Sequence, residues 1–288
     1  MIPGPFAYHR PATVQEAVGM LARFGEDGRP LAGGHSLIPM MKLRLARPAY
    51  LVDLAGIADL KGVRADGNDI VIGAMTTQHE LIGSELLAAK IPILRETSLL
   101  IADPQVRYVG TVGGNVANGD PGNDMPAVMM CLGASYHVVG AVGERRIAAR
   151  EFYQGTYVTA LKAGEVLTAI RIPMPPDGHG WAYEKLKRKV GDYATAAAAV
   201  ILAIKEGEVA SCSIGLTNVA EKPLWAEEAA KLVVGSALDA ATVKRAVAAA
   251  EAITSPADDG HGPARYRTKM AGVMLSRALG RAKERAST

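Results

Sequence analysis

Two segments of the chain combine paired glycines with small polar residues, a composition that suits the binding of an anion. The first is LAGGHSL, residues 31–37, and the second is GTVGGNVANGDPGND, residues 110–124. Glycine allows consecutive backbone N–H groups to approach an anion closely, and a neighbouring hydroxyl or amide adds a neutral donor. Either segment alone is better explained as a structural turn. The pair leads us to predict one shared phosphate-bearing ligand, with two turns as the alternative.

Known phosphate-binding and catalytic motifs are not found in these segments or elsewhere. Neither segment reads G-x-G-x-x-G, and GNVANGD has P-loop glycine spacing but places Asp120 where the phosphate-binding lysine must stand. The sequence has no G-x-S-x-G elbow and no H-E-x-x-H, and its six histidines are scattered. The dinucleotide fingerprint of a Rossmann unit is therefore missing, and ordinary nucleoside triphosphate chemistry is ruled out. We predict no metal site.

Composition is that of a globular protein with a real core: 49% of the 288 residues are hydrophobic and 21% charged. The net charge of +3 is too small to indicate nucleic-acid binding. The longest apolar run, residues 194–204, is too short to span a membrane. The start of the chain lacks the apolar core of a signal peptide, so we expect a cytoplasmic protein. Cys131 and Cys212 are too few to hold an iron–sulfur cluster.

Helix and strand signals alternate along the first part of the chain. Thr13 and Thr77 each precede a glutamate by three residues, which predicts capped helices after both. Residues 69–74 read as a buried strand, residues 92–100 as a helix, and Asp124 as a helix N-cap. The N-terminal part is therefore of mixed α and β type.

A linker at residues 172–180, IPMPPDGHG, predicts a boundary between two domains. We expect an N-terminal domain over residues 1–177, with subdomains 1–55 and 56–177, and a C-terminal domain over residues 178–288. The stretches GWAYEKLKR, YATAAAAVILAIK and VASCSIGLTNV predict three antiparallel strands, followed from residue 223 by alanine-rich helices.

Three stretches together, LAGGHSLIP, GTVGGNVANGDPGNDMPA and YEKLKRKVGDYATAAAAV, resemble the FAD-binding subunit or domain of the molybdenum hydroxylases, the xanthine dehydrogenase family. The resemblance covers essentially the whole chain, including FAYHRPATVQEAVGML and EVLTAIRIP. It implies an α+β fold of the vanillyl-alcohol-oxidase (PCMH) type. In that fold two N-terminal α/β subdomains and a C-terminal domain, here a three-stranded antiparallel sheet with helices, enclose an extended, non-covalently bound FAD.

The resemblance also implies which residues contact FAD. One side of the pyrophosphate would be wrapped by Ala32, Gly33, Gly34, His35 and Ser36. The other side would be completed by Thr111, Val112, Gly113, Gly114 and Asn115. Because family members bind FAD non-covalently, His35 is expected to act only as part of its loop.

The flavin end of the cofactor would meet a second group of residues. Ile101 and Leu167 match apolar contacts, and Asp124 matches an acid that contacts the cofactor. Lys185 matches a lysine at the pyrimidine end of the ring, where a cation would stabilise the reduced form. Asp192 and Tyr193 would approach the flavin edge or face. From the residues alone, Asp124 could be only a helix cap and Lys185 an exposed strand lysine. No residue is assigned a catalytic role, because the redox centre would be FAD.

The resemblance is compatible with two main functions. In the first, the chain carries electrons from [2Fe–2S] clusters through FAD to a quinone or cytochrome. The substrate, expected to be carbon monoxide with a purine, N-heterocycle or aldehyde as alternatives, would be oxidised on another chain. The partners would be a large molybdopterin subunit and a small iron–sulfur subunit in a dimer of heterotrimers, cytoplasmic or peripheral at the inner membrane face. In the second, the chain is a self-sufficient flavin oxidase, which the short C-terminal part disfavours. A flavin-free binding module is a third possibility.

Overall fold

A small α/β unit around a parallel sheet forms the start of the chain. The computed structural model describes residues 2–286, and Met1, Ser287 and Thr288 lie outside it. The sheet has the order β1-β3-β2, with both pairs parallel. As predicted, Thr13 caps α1, its hydroxyl accepting from the Glu16 N–H. The elements are β1 (Ala7–His9), α1 (Val14–Phe24), β2 (Gly28–Leu31), α2 (Leu37–Lys42) and β3 (Tyr50–Asp53), followed by 3₁₀ turns at Leu54–Gly56 and Ala58–Leu60.

The middle of the chain builds an antiparallel five-stranded sheet, with most of its helices between the second and third strands in sequence. The sheet order is β4-β5-β10-β6-β7, and Thr77 caps α3 through the predicted capping box. The elements are β4 (Val63–Asp66), β5 (Asp69–Gly73), α3 (Gln78–Gly83), α4 (Glu85–Lys90), α5 (Pro92–Leu100), α6 (Pro104–Val109), α7 (Val112–Ala117), α8 (Asp124–Cys131), β6 (Ser135–Gly140), β7 (Gly143–Ala148), α9 (Ala149–Phe152), the hairpin β8 (Tyr153–Gly155) with β9 (Val158–Thr159), and β10 (Val166–Pro173).

The last part of the chain forms an antiparallel sheet covered by helices. Within the described residues this sheet has four strands in the order β11-β12-β13-β14, so the prediction of three is wrong. The additional strand is only two residues long and pairs with Gly215 and Leu216. The elements are β11 (Gly180–Leu186), β12 (Ala196–Lys205), β13 (Glu208–Thr217), β14 (Leu224–Trp225), α10 (Glu227–Val233), α11 (Ala240–Ala252) and α12 (Ala264–Arg285).

Strand β12 joins the two halves of the molecule because both of its faces are buried. Ala197, Ala199 and Ile201 belong to the core that contains α8, whereas the alternating Ala198 and Val200 belong to the core beneath α12. Successive side chains of a strand point to opposite faces, so a strand between two helical layers has no polar face. Its small alanines allow a helix to pack on each side. Among the residues that the structure describes, no helix combines the length and apolar character needed to span a bilayer.

Candidate functional site

The two glycine segments lie directly against each other. A Cβ added at Gly33 would stand 2.5 Å from the Val109 carbonyl oxygen and 2.8 Å from the Gly110 Cα. A Cβ added at Gly114 would stand 3.3 Å from the Ala32 Cβ. Only glycine permits two backbones to approach this closely. The fold therefore brings together two segments that are almost 80 residues apart in sequence, as a shared ligand requires.

The first segment, residues 32–36, offers a row of unpaired backbone donors. It follows the end of β2 and precedes α2, and none of its backbone N–H groups donates a hydrogen bond to another described residue. Gly34 has a φ of 72°, a left-handed conformation that turns the chain between strand and helix. Four of the five residues are half-buried, and His35 is exposed. Consecutive free N–H groups at such a turn form an anion-binding concavity.

The second segment differs from the expected loop, because most of it is the short helix α7. Thr111 is the N-cap, and its hydroxyl accepts from the Gly114 N–H at 3.0 Å. The N–H groups of Val112, Gly113 and Asn115 donate to Thr76, Ala74 and Thr111 carbonyls at 2.8–3.0 Å. All four backbone donors from Val112 to Asn115 are therefore used within the protein. What this segment can offer a ligand is side chains.

Asn115 is the side chain of the second segment best prepared for a ligand. Its Oδ1 atom is buried and has no hydrogen-bond partner among residues 2–286. Its carbonyl oxygen accepts from the Asn123 side-chain amide at 2.8 Å, which anchors the start of α8. A buried polar atom without a partner costs about 1–3 kcal/mol, so a donor from a bound molecule would relieve it.

A buried ion pair lies at the other end of the site. Lys185 Nζ on β11 donates to Asp124 Oδ2 at 2.8 Å, and the two side chains are 1% and 6% exposed. Lys185 also donates to the Leu100 carbonyl oxygen at 3.3 Å. The helix N-cap is Asn123, so the alternative that Asp124 only caps α8 is wrong. Lys185 is likewise not the exposed strand lysine that its sequence position alone would favour.

Burial raises the pKa of Asp124, and the nearby Lys185 ammonium opposes this increase. The Asp124 carboxylate holds a further partner that the sequence did not indicate. Tyr183, two residues before Lys185 on the same face of β11, donates its hydroxyl to Asp124 Oδ1 at 2.5 Å. No sequence signal connects a strand tyrosine to an acid 59 residues earlier, since only the fold brings them together.

The comparisons with known proteins agree with this geometry. Residues 4–175 match the family described as "FAD binding domain in molybdopterin dehydrogenase" and residues 181–282 match "CO dehydrogenase flavoprotein C-terminal domain". The chain belongs to the FAD-binding subunits of the molybdenum hydroxylases. This confirms the family predicted from the sequence.

This FAD-binding subunit is similar to chains of carbon monoxide dehydrogenases. It is 68% identical to the carbon monoxide dehydrogenase medium chain of Afipia carboxidovorans, over 99% of both chains. It is 48% identical to the corresponding chain of Hydrogenophaga pseudoflava, over 97% of both. A crystal structure of a Cu,Mo-CO dehydrogenase in its cyanide-inactivated form contains a chain with a TM-score of 0.99 and 68% identity, covering 99% of this chain and 100% of that one. The fold is thus the mixed α+β fold of that subunit.

The residues predicted for the flavin end are only partly brought together in this FAD-binding subunit. Ile101 follows α5 and is 8% exposed, and Gly191 lies against the neighbouring Ala102. The Tyr193 ring lies against Gly122, two residues before Asp124. Ile101 directly follows Leu100, whose carbonyl oxygen accepts from Lys185, and Tyr193 lies next to the segment that leads to Asp124, so both lie near the ion pair in the chain.

Two further predicted residues have internal partners other than the Asp124–Lys185 pair. The Asp192 carboxylate pairs with Arg188 at 3.0 Å and lies 3.8 Å from His261 Nε2, rather than joining the Asp124 pair. Leu167 on β10 is 6% exposed and packs within the central core. Its strand neighbour Thr168 accepts a hydrogen bond from Ala74, the residue on which α7 rests. Leu167 is therefore a buried core side chain, one residue from the strand position that binds Ala74.

The site as a whole fits the two ends of FAD. The first segment has free N–H donors for a pyrophosphate. The unpaired Oδ1 atom of Asn115 could accept a hydrogen bond from a hydroxyl or N–H group of the ligand. Residues 100–110, which include α6, connect the Leu100 carbonyl that accepts from Lys185 to the contact with Gly33. A diphosphate at one end, a cation at the other and apolar side chains near the cation match an extended flavin dinucleotide.

Proposed function

We propose that this chain is the FAD-carrying electron-transfer subunit of an aerobic carbon monoxide dehydrogenase. One observation carries the proposal. Residues 32–36, whose backbone N–H groups have no partner, pack against α7 at one end of the site, and the Lys185–Asp124 ion pair lies at the other end. The medium chains of two carbon monoxide dehydrogenases are similar to it over nearly their whole length. We assign the fold to the vanillyl-alcohol-oxidase type, with domains at residues 1–177 and 178–288.

Residues 32–36 would bind the pyrophosphate through backbone N–H groups. Thr111 and Asn115 would contribute side-chain groups, while Val112–Gly114 would support the first segment by packing. No covalent bond is needed, since His35 lies in a turn that already supplies the donors. A diphosphate in this concavity would be stabilised by several N–H dipoles at once.

At the flavin end, Lys185 would hold a positive charge near the pyrimidine edge, and Ile101 and Tyr193 would cover the ring. When bound, FAD supplies the chemistry of accepting and passing on electrons. The chain's own part is to orient the cofactor, exclude water from the ion pair and fix the charge beside the ring. Leu167 would set the floor of the site, and Asp192 would position the loop that carries Tyr193.

The electrons would come from partner subunits. A [2Fe–2S] cluster takes four cysteine ligands, whereas this chain has two cysteines, both free, and Cys131 is buried. We therefore place the [2Fe–2S] clusters on a small subunit and the molybdopterin on a large one, in a dimer of heterotrimers. Electrons would leave to a quinone or cytochrome. Free thiols suit the reducing cytoplasm.

Stopped-flow reduction of the flavin-free complex by carbon monoxide tests the relay. We expect the iron–sulfur absorbance to bleach at the normal rate while transfer to a quinone is lost, and FAD to restore that transfer. Clusters that no longer reduce without FAD would place the flavin upstream and refute the relay. Reduction by an aldehyde or purine but not by carbon monoxide would refute the substrate alone.

Acid precipitation of the complex tests the bond to the cofactor. We expect all the yellow colour, identified as FAD, in the supernatant. Flavin that stays in the pellet of the wild-type complex but moves to the supernatant in a His35→Ala complex would show a covalent link to that histidine.

A further inference from the structure

Tyr183 is hydrogen-bonded to Asp124 of the buried ion pair, which the proposed function places beside the flavin, although Tyr183 need not touch the cofactor. It lies on β11 with a fully buried side chain, two residues from Lys185 and therefore on the same face of the strand. From that face both side chains donate to Asp124, the first residue of α8, and β11 also packs against α5. The Tyr183 hydroxyl thus contacts one oxygen of the Asp124 carboxylate, and Lys185 contacts the other.

The contacts of the Asp124 carboxylate are divided between two donors. Oδ1 accepts from Tyr183 at 2.5 Å, and Oδ2 accepts from Lys185 at 2.8 Å. The Tyr183 backbone is itself fixed, because its N–H donates to Glu96 Oε1 on α5 at 2.7 Å. Thr217 Oγ1 lies 3.5 Å from the tyrosine oxygen. A carboxylate held from both sides cannot rotate away from the lysine.

The hydroxyl also has a defined protonation state. Burial, together with the adjacent Asp124 charge, raises the pKa of Tyr183 well above its ordinary value, so the group remains a donor at physiological pH. The ionisable groups facing Asp124 are Lys185, Tyr183, the more distant Lys187 and Tyr193. Of these, Tyr183 and Lys185 donate hydrogen bonds to the carboxylate. Hydrogen bonds to a buried carboxylate stabilise its ionised form.

We propose that Tyr183 is a positioning residue that keeps Asp124 ionised and directed at Lys185, and thereby sets how much uncompensated positive charge the bound FAD experiences. The proposal rests on the proposed function, because it needs FAD beside Lys185. An ionised Asp124 neutralises much of the lysine charge. A protonated Asp124 would leave that charge free to stabilise the added electrons.

Tyr183→Phe in the full complex is the primary test. Loss of the donor raises the pKa of Asp124 further, so the carboxylate binds a proton at higher pH than in the wild type. We expect normal FAD content and a higher two-electron midpoint potential. The gap from the wild type should widen as pH falls and close above the raised pKa. A tenfold change in the ratio of reduced to oxidised FAD affinity corresponds to about 30 mV.

Tyr136→Phe is the matched control, because it removes a buried hydroxyl that pairs with Tyr153 in the core at 2.8 Å rather than with Asp124. It should leave the potential and its pH dependence unchanged. A potential of Tyr183→Phe that coincides with the wild type from pH 6 to 9 would overturn the proposal. Equal shifts in both tyrosine variants would overturn it as well.

Asp124→Asn supplies an independent measurement if Tyr183→Phe folds poorly. We expect its potential to rise without the pH dependence, and the additional Tyr183→Phe change to have no further effect, since the two residues act through one charge. Additive shifts would contradict this. Absence of FAD from the wild-type complex would refute the proposed function instead, so the two failures can be told apart.

Discussion

The two glycine segments share a composition but differ in their backbone chemistry. In residues 32–36 the N–H groups are unpaired within the described chain, whereas those of Val112–Asn115 all have acceptors. The difference arises from where the following helix begins. Helix α2 begins after the first pair of glycines, and α7 begins before the second pair. Only the first segment can therefore present a row of backbone donors. The second segment supports the first by packing against it.

Gly34→Val should have the largest effect, because it acts on the segment with free donors. A β-branched residue at a φ of 72° costs about 1–3 kcal/mol, and the chain would relax by turning the N–H groups away from the ligand. We expect FAD affinity to fall by about tenfold or more, measured by titration of FAD into the flavin-free complex.

Gly67→Val is the control for Gly34→Val. Gly67 also has a positive φ, 61°, but lies in the turn between β4 and β5 with open space around it. It should lower thermal stability by a similar amount and leave FAD content normal. Equal FAD content in the two variants would mean that the first segment is only a turn.

Thr111→Ala should have a smaller effect of a different kind. It removes the hydroxyl that caps α7, at a cost of about 1 kcal/mol in unfolding free energy. Asp239→Ala removes the cap of the distant α11 and should cost the same. We expect both to lower the denaturation midpoint equally and Thr111→Ala alone to weaken FAD binding. A loss of FAD as large as in Gly34→Val would show that the second segment supplies essential donors after all.

Asn115→Ala should have the smallest effect on the folded protein. Its Oδ1 atom has no partner among the described residues, so removing it forfeits no internal hydrogen bond. We expect an unfolding free energy no lower than that of the wild type, because an unpaired buried oxygen is removed, and an FAD affinity reduced roughly two- to fivefold. Unchanged affinity would remove Asn115 from the site.

The sequence led to the segments that the fold brings together, but not to which of their atoms are free to bind a ligand. The glycine pairs and the family resemblance led to both segments and to Lys185. A glycine pair does not reveal whether it precedes a helix or lies in the first turn of one. A threonine such as Thr111 occurs both as a helix N-cap and in a loop, so it does not decide between the two. The role of Asp124 required knowing that Lys185 lies beside it, 61 residues away in sequence.

The prediction of the fold succeeded where the sequence patterns are long and failed where they are short. Residues 92–100 and 69–74 carry enough apolar periodicity to define a helix and a strand, and both were found. The two-residue strand Leu224–Trp225 has no periodicity to detect, so the fourth strand of the last sheet was missed. Tyr183 was missed for the related reason that a single buried tyrosine in a strand usually indicates only core.

Amide hydrogen exchange of the complex, with FAD bound and after its removal, tests most directly which segment binds the diphosphate. Peptides covering residues 31–37 and 112–117 report on the two segments separately. We predict that the first exchanges rapidly without FAD and is strongly protected when FAD is restored, whereas the second is protected in both states by its internal hydrogen bonds. Protection that appears with FAD only in residues 112–117, or in neither peptide, would contradict the assignment of the pyrophosphate to residues 32–36.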